Sequence, residues 1–240
     1  MLGIPQSLGN LEFYKACCNA QFICGNISAG FPFSGPGIPP DCGHPGLQLD
    51  CKNDTPTIEI YYVRYQVLDI HPDPLRIARQ EIYIISLCKP EFQNSVLDYK
   101  LFDFVNASGY ANVTLLYGCL NLTQTLHFNY SANIHGYKDV WVVSEGISSV
   151  SCPANVKVPI VRSFLAGIFN YLLLLEGSKV GFEVKWKQDR QVCQKFKRTG
   201  GACGFDPANQ TTCFCPNANF LEELTECPPG TPATGYLIII

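Results

Sequence analysis

Residues 57–70, Thr-Ile-Glu-Ile-Tyr-Tyr-Val-Arg-Tyr-Gln-Val-Leu-Asp-Ile, decide the fold class. Ile58-Glu59-Ile60 alternates apolar with polar, and Val63, Tyr65 and Val67 share a face opposite Arg64, Gln66 and Leu68. Successive side chains of a strand point to opposite faces, so a period of two built from β-branched and aromatic residues predicts half-buried β structure. Toward the C-terminus the turn Asp73-Pro74 leads into two further apolar runs, 75–79 and 82–87, the second closed by Cys88. Residues 100–118 continue as strands broken by Asn106-Ala107-Ser108-Gly109, and residues 119–136, rich in Asn, are expected to be exposed. Val140-Trp141-Val142-Val143 predicts a short strand, and 180–186 alternates again. One helix is predicted after Pro159, through Phe164, Leu165, Ile168, Phe169, Leu172 and Leu173, ending at Glu176-Gly177. In the other direction, Gly30-Phe31-Pro32-Phe33-Ser34-Gly35-Pro36-Gly37 and Ile38-Pro39-Pro40 make residues 17–51 loop-rich. The expected fold is mainly β with one short helix.

Such a loop-rich start needs another source of stability, and the cysteines supply it. The 240-residue chain has 13, at positions 17, 18, 24, 42, 51, 88, 119, 152, 193, 203, 213, 215 and 227. No Cys-x-x-Cys occurs, and His44, His71, His127 and His135 lie far in sequence from the cysteine-dense tail, so disulfides are favoured over a zinc site and no metal is expected. An odd count leaves at least one thiol over or pairs it with another chain. Disulfides persist outside the reducing cytosol. Seven Asn-x-Ser/Thr sequons, at Asn26, Asn53, Asn106, Asn112, Asn121, Asn129 and Asn209, point to the same compartment. Glycans there would also explain how a chain with 15% charged residues, against roughly 25% in ordinary soluble domains, keeps a wet surface. A net charge of −3 gives no reason to expect nucleic acid as a partner.

The cysteine frame carries a resemblance. Cys17 and Cys24-Gly25, then Gly30-Phe31-Pro32-Phe33, then Cys42-Gly43-His44-Pro45-Gly46-Leu47-Gln48-Leu49-Asp50-Cys51 resemble the galacturonan-binding module of plant wall-associated receptor kinases, in the form found in leaf-rust-resistance-like receptor kinases. Residues 65–70 and 75–79, ending at Cys88, fit the same module. Cys152 with Val156-Lys157-Val158-Pro159, then Gly181-Phe182-Glu183-Val184-Lys185-Trp186, Gly200-Gly201-Ala202-Cys203-Gly204 and Cys213-Phe214-Cys215-Pro216 resemble the C-terminal module of the same kinases. The resemblance implies two disulfide-stapled, cysteine-rich β modules, 17–118 (core 17–90) and 119–228, between an N-terminal tail 1–16 and an apolar tail 229–240. It also implies disulfides drawn from Cys17, Cys24, Cys42, Cys51, Cys88, Cys119, Cys152, Cys193, Cys203, Cys213, Cys215 and Cys227. Three departures matter. Phe196 stands where the family has a cysteine, a further family cysteine between Cys119 and Cys152 is absent, and Cys18 is extra, so at least one family bridge is expected to be lost or rerouted.

The implied protein is an extracellular ectodomain at the apoplastic face of the plasma membrane, binding pectin or oligogalacturonide, with a membrane-bound co-receptor as a further partner. The alternative is a cysteine-rich receptor-like protein that binds a peptide or co-receptor rather than pectin. Residues 1–16 lack the basic start and apolar core of a secretory signal, so a removed or upstream signal is expected. Gly235-Tyr236-Leu237-Ile238-Ile239-Ile240 reads either as the first turns of a membrane span or as an apolar tail, a full span taking roughly 20 residues. No Gly-rich phosphate loop, His-Arg-Asp or Asp-Phe-Gly is present, so no enzyme activity and no cofactor are assigned.

A reader of a polyanionic sugar needs cations for the carboxylates and aromatic faces for the rings. Two stretches offer cations: Arg64, Arg76 and Arg79 beside Tyr61, Tyr62 and Tyr83, and Lys185, Lys187, Arg190, Lys195, Lys197 and Arg198, opposed only by Asp189. The competing reading of both is an ordinary solvated surface.

Overall fold

The computed structural model describes residues 7–70, 74–81, 93–105, 109–119, 126–134, 137–144, 152–167, 171–187, 190–205, 210–216 and 227. In chain order the elements are α1 (Ser7–Cys17), β1 (Phe22–Cys24), β2 (Ile27–Ala29), β3 (Leu49–Lys52), β4 (Thr55–Ile60), β5 (Val63–Ile70), β6 (Leu75–Arg79), β7 (Phe102–Phe104), β8 (Tyr110–Tyr117), β9 (Leu126–Ile134), β10 (Tyr137–Ser144), β11 (Ala154–Val161), α2 (Tyr171–Lys179), β12 (Phe182–Trp186), α3 (Arg190–Arg198), β13 (Ala202–Phe205) and β14 (Thr211–Phe214). The mainly-β expectation holds, with three short α-helices among the described residues in place of one. They form two compact units: one from described residues within Met1–Ile23, Ser28–Gln48 and Gln188–Ile240, the other within Cys24–Ile27 and Leu49–Lys187.

The first unit has little regular structure and is held by sulfur and aromatic rings. Cys17–Cys42, Cys193–Cys203 and Cys215–Cys227 close three bridges. Phe196 is buried among Cys193, Cys203, Cys215 and Cys227, so its ring occupies the core where the family frame has a sulfur. Cys213, expected among the bridging cysteines, instead sets its Sγ 3.5 Å from that of Cys203. The extra Cys18 is exposed at the end of α1. Phe205 stacks on Phe31 at 5.2 Å and meets the edge of His44 at 5.0 Å.

Two sequence landmarks of this unit now have physical causes. Gly43 is backed against the chain: a Cβ there would press into the Phe33 carbonyl and sit 2.6 Å from Ser34 Cα. Gly43→Ala should therefore cost about 1–3 kcal/mol as overpacking, read from the urea midpoint of the oxidised protein. His44 caps the single 3₁₀ turn Pro45–Leu47, its Nδ1 accepting from the Gly46 N–H at 3.0 Å. Partial burial holds its pKa below the ordinary value, and protonating Nδ1 would break the cap. The stabilisation is thus present above about pH 6.5, the unfolded value, and is lost as pH falls through the lower folded value. Between pH 7 and 5 the wild type should lose stability faster than His44→Asn, whose amide can still cap; equal slopes would contradict this.

The second unit carries the larger core. Its six-stranded antiparallel sheet runs β3-β4-β5-β6-β12-β7, and a four-stranded antiparallel sheet runs β11-β8-β10-β9. The alternation read at 57–70 is realised: Val63, Tyr65 and Val67 are buried and Arg64 is exposed. Cys24–Cys51 and Cys119–Cys152 are its bridges. Leu75–Arg79 is the predicted strand, whereas the predicted run 82–87 and Cys88 lie outside the described residues. The predicted helix after Pro159 is corrected. Ala154–Val161 pairs with β8, a 3₁₀ helix covers Arg162–Gly167, and α-helix begins only at Tyr171. Pro159 follows a Val-rich run and sits in the strand, where Val-Lys-Val-Pro-Ile-Val favours extended backbone. Part of 119–136, expected as exposed chain, is strand β9.

Candidate functional site

Two adjacent hairpins of the second unit share one backbone geometry and differ in chemistry. Lys52 pairs with Thr55 and Ile60 with Val63, so each turn has two central residues. All four central residues have positive φ: 51° and 57° at Asn53 and Asp54, 48° and 65° at Tyr61 and Tyr62. Two-residue hairpins favour this pattern because its twist matches that of the strands, and Asn, Asp and Gly adopt it with least strain. Asn53-Asp54 follows the rule. Tyr61-Tyr62 does not: a bulky residue in the left-handed region costs about 1–2 kcal/mol. Both rings also stand in solvent, Tyr61 51% and Tyr62 83% exposed, where burial offsets little of that strain. Strain kept at an exposed aromatic pair points to use of the rings themselves.

The cations expected beside these tyrosines divide sharply. Arg64, next to the tip, is exposed and pairs with Glu59 across the hairpin at 3.5 Å, an exchangeable surface contact. Arg76 is exposed but tied to Glu183, its Nη2 donating to Oε1 at 2.6 Å and its Nε at 3.2 Å. Arg79 is a correction: it is 2% exposed and cannot face a polymer. Its Nη2 donates to Glu81 Oε1 at 2.7 Å and its Nη1 to Ser95 Oγ at 3.1 Å and the Lys157 carbonyl at 3.5 Å. It brackets β6 against residue 95 and β11, a structural task. Tyr83 lies outside the described residues.

The basic run 185–198 is divided between the two units. Lys185 and Lys187 belong to the second unit and share the exposed face opposite the buried Trp186, as the alternation predicts; Lys187 is 2.9 Å from Asp103. Lys195, Lys197 and Arg198 lie on α3 of the first unit. α3 buries Cys193 and Phe196 on one side and exposes Gln191, Gln194, Lys195, Lys197 and Arg198. It contains no acidic residue, and Lys195, Lys197 and Arg198 sit in its last turn, where they also complement the helix dipole. Arg190 is placed in this helix by its backbone alone. Among the sequons, Asn26 and Asn53 are exposed at hairpin turns and Asn112 is exposed on β8; Asn129 lies in β9, and Asn106, Asn121 and Asn209 fall outside the described residues.

The sheet-borne aromatic tip was within reach of the sequence: 61–62 interrupts an alternating run between two strands. The signal is weak because Tyr is an unusual choice for a two-residue turn.

Disulfide bridges, a mainly β fold and exposed sequons define a stapled module pair of extracellular type. The wall-associated receptor kinase galacturonan-binding family model matches residues 17–79, and the wall-associated receptor kinase C-terminal family model matches 127–218. The chain belongs to the ectodomain family of these receptor kinases. It is 35% identical over 195 residues, 78% of its length, to the leaf rust 10 disease-resistance locus receptor-like protein kinase-like 2.4 of Arabidopsis thaliana. It is 27% identical over 90% of its length to the related kinase-like 1.3 and 30% identical over 88% to kinase-like 2.8, both from Arabidopsis thaliana. The matches cover 30%, 32% and 23% of those proteins, so the chain spans about a third of their length or less. Both matching family models describe ectodomain modules, and membership implies an extracellular location. Among the described residues no helix is long and apolar enough to cross a membrane. No solved structure matches the chain.

Proposed function

We propose that this chain is the pectin-reading part of a plant receptor-like kinase or receptor-like protein and binds de-esterified galacturonan. The observation that carries the reading is the Tyr61-Tyr62 tip, strained and exposed within the stretch matched by the galacturonan-binding model. Its rings supply flat apolar faces for sugar C–H groups, and Arg64 supplies a cation beside them. Arg76, Lys185 and Lys187 add positive charge on the same unit, the first and last shared with Glu183 and Asp103. The α3 face, with Lys195, Lys197 and Arg198, is a second cationic surface for the same polyanion. Arg79 is withdrawn from the ligand-facing set.

Retention of the oxidised, secreted protein on immobilised de-esterified pectin tests the reading, with fully methyl-esterified pectin as control. Retention on the first alone, weakening with salt, is the expected result; none on any acidic polysaccharide would overturn it and favour a peptide or co-receptor ligand. Neutralising α3 with Lys195→Gln, Lys197→Gln and Arg198→Gln should weaken retention about tenfold at low salt and little at high salt, since three exposed pairings contribute roughly 0.2–1 kcal/mol each. A salt-independent loss would contradict that role.

A further inference from the structure

The second unit contains an open cleft of about 270 Å³ that includes none of the cations considered above; Tyr99, Phe104, Tyr110, Asn112, Pro159 and Arg162 line it. Its aromatic wall is firmly set. Phe182 packs against Phe104 at 5.6 Å and Tyr110 at 6.4 Å between ring centroids. The Tyr110 carbonyl accepts from Arg162 Nη2 at 2.9 Å, and its hydroxyl accepts from the Glu183 N–H at 3.2 Å. Tyr99, by contrast, leaves 64% of its surface in solvent. Flat rings, a proline and a guanidinium are the groups that hold a sugar ring, by its C–H face and its oxygens.

Size and depth limit what can stay there. Ligand clefts run roughly 300–1,000 Å³, so this one admits about one ring. A free monosaccharide would give up its translational and rotational freedom for a few stacked contacts in an open site, and would bind weakly. A sugar tethered to the wall is different, because its effective concentration is in the millimolar range or above. The wall carries such an attachment point. Asn112 is exposed, lines the cleft and opens the sequon Asn112-Val113-Thr114; Tyr110, two residues earlier on β8, lines the same cleft.

We propose that the cleft seats the first sugar of an N-glycan carried by Asn112 itself, an N-acetylhexosamine packed against Tyr99, Phe104 and Tyr110. The proposal rests on the extracellular reading above. Attachment joins Asn112 Nδ2 to the anomeric carbon of an oligosaccharide delivered on a lipid pyrophosphate; the pyrophosphate leaves and one amide proton is lost. The glycan then acts as a covalent part of the sheet's surface rather than as a solvent-borne tree.

The test uses the full chain secreted from cells held to oligomannose glycans. Glycopeptide mass spectrometry should find Asn112 occupied. Trimming every glycan to a single sugar with an endoglycosidase should leave Tm within about 1 °C, whereas Asn112→Gln should lower it by about 2–4 °C. In a Tyr99→Ala background, where the exposed ring is gone, Asn112→Gln should no longer matter. The acetyl methyl proton of the Asn112-linked sugar should be shifted upfield by the rings. An unoccupied Asn112 beside an occupied Asn26 or Asn53 overturns the proposal alone, as does an occupied Asn112 with the same Tm loss in both backgrounds. Absence of glycan from every sequon overturns the extracellular reading as well. A Tyr99-dependent gain of oligogalacturonide retention in Asn112→Gln would show a cleft for external sugar and also overturn it.

Discussion

Replacing the second hairpin turn by Tyr61→Asn with Tyr62→Gly is expected to stabilise the protein by about 1–3 kcal/mol, because Asn and Gly adopt the positive-φ conformation of both positions with little strain. The same change should weaken retention on de-esterified pectin about thirty-fold, two stacked rings being worth roughly 2 kcal/mol together. The opposite signs are what make the experiment informative. A tip that only reverses the chain would gain stability and keep binding. Asn53 and Asp54 provide the internal control: they occupy the same backbone geometry with residues that suit it, and carry no comparable aromatic surface. Urea midpoints and pectin retention on the same preparations measure both halves. Unchanged retention would remove Tyr61 and Tyr62 from the site and, with them, the main support for the proposed function.

Arg79→Met is expected to be the most damaging single substitution at a polar position, destabilising by about 3–5 kcal/mol. The Arg79 side chain is 1% exposed and the Glu81 side chain 25%. Losing the guanidinium leaves a half-buried carboxylate without its 2.7 Å partner, and Ser95 and the Lys157 carbonyl without a donor they now share. The double substitution Arg79→Met with Glu81→Leu should recover much of the loss, since replacing both partners removes the uncompensated charge. Pectin retention per folded molecule should stay at the wild-type value. A cost under about 1 kcal/mol would show the bracket to be dispensable.

These two residues also show how far sequence carries. Period-two patterning placed β4, β5, β6 and β12 because burial on one face leaves an alternation that any homogeneous strand must keep. Arg79 falls on the same face of β6 as the buried Leu75 and Ile77, so only its residue type made it look like a further surface cation. Its burial depends on Ser95, 16 residues on, and on a carbonyl of β11, 78 residues on, neither of which spacing can reveal. α3 escaped notice because, among its described residues 191–198, only Cys193 and Phe196 are buried, too few for an apolar stripe to stand out. The helix predicted after Pro159 is found as α-helix over α2 alone, and its start was set too early for the converse reason. Its apolar residues fit a helical stripe, but the β-branched run 156–161 pairs with β8 and holds the start extended. Which cysteines bridge was set by three-dimensional proximity. The thinness of the first unit's core, by contrast, was evident from its Gly and Pro content.

Strand β12 lies between β6 and β7 in the six-stranded sheet, with Glu183 opposite Arg76. It comes from the stretch matched by the C-terminal family model, and β6 from the stretch matched by the galacturonan-binding model. A ribosome must therefore deliver the chain as far as Trp186 before the sheet that began at Leu49 can close. Recombination between relatives with a breakpoint at 80–126 would join a β6 and a β12 that had never been selected side by side. The two stretches are thus expected to be inherited as one allele.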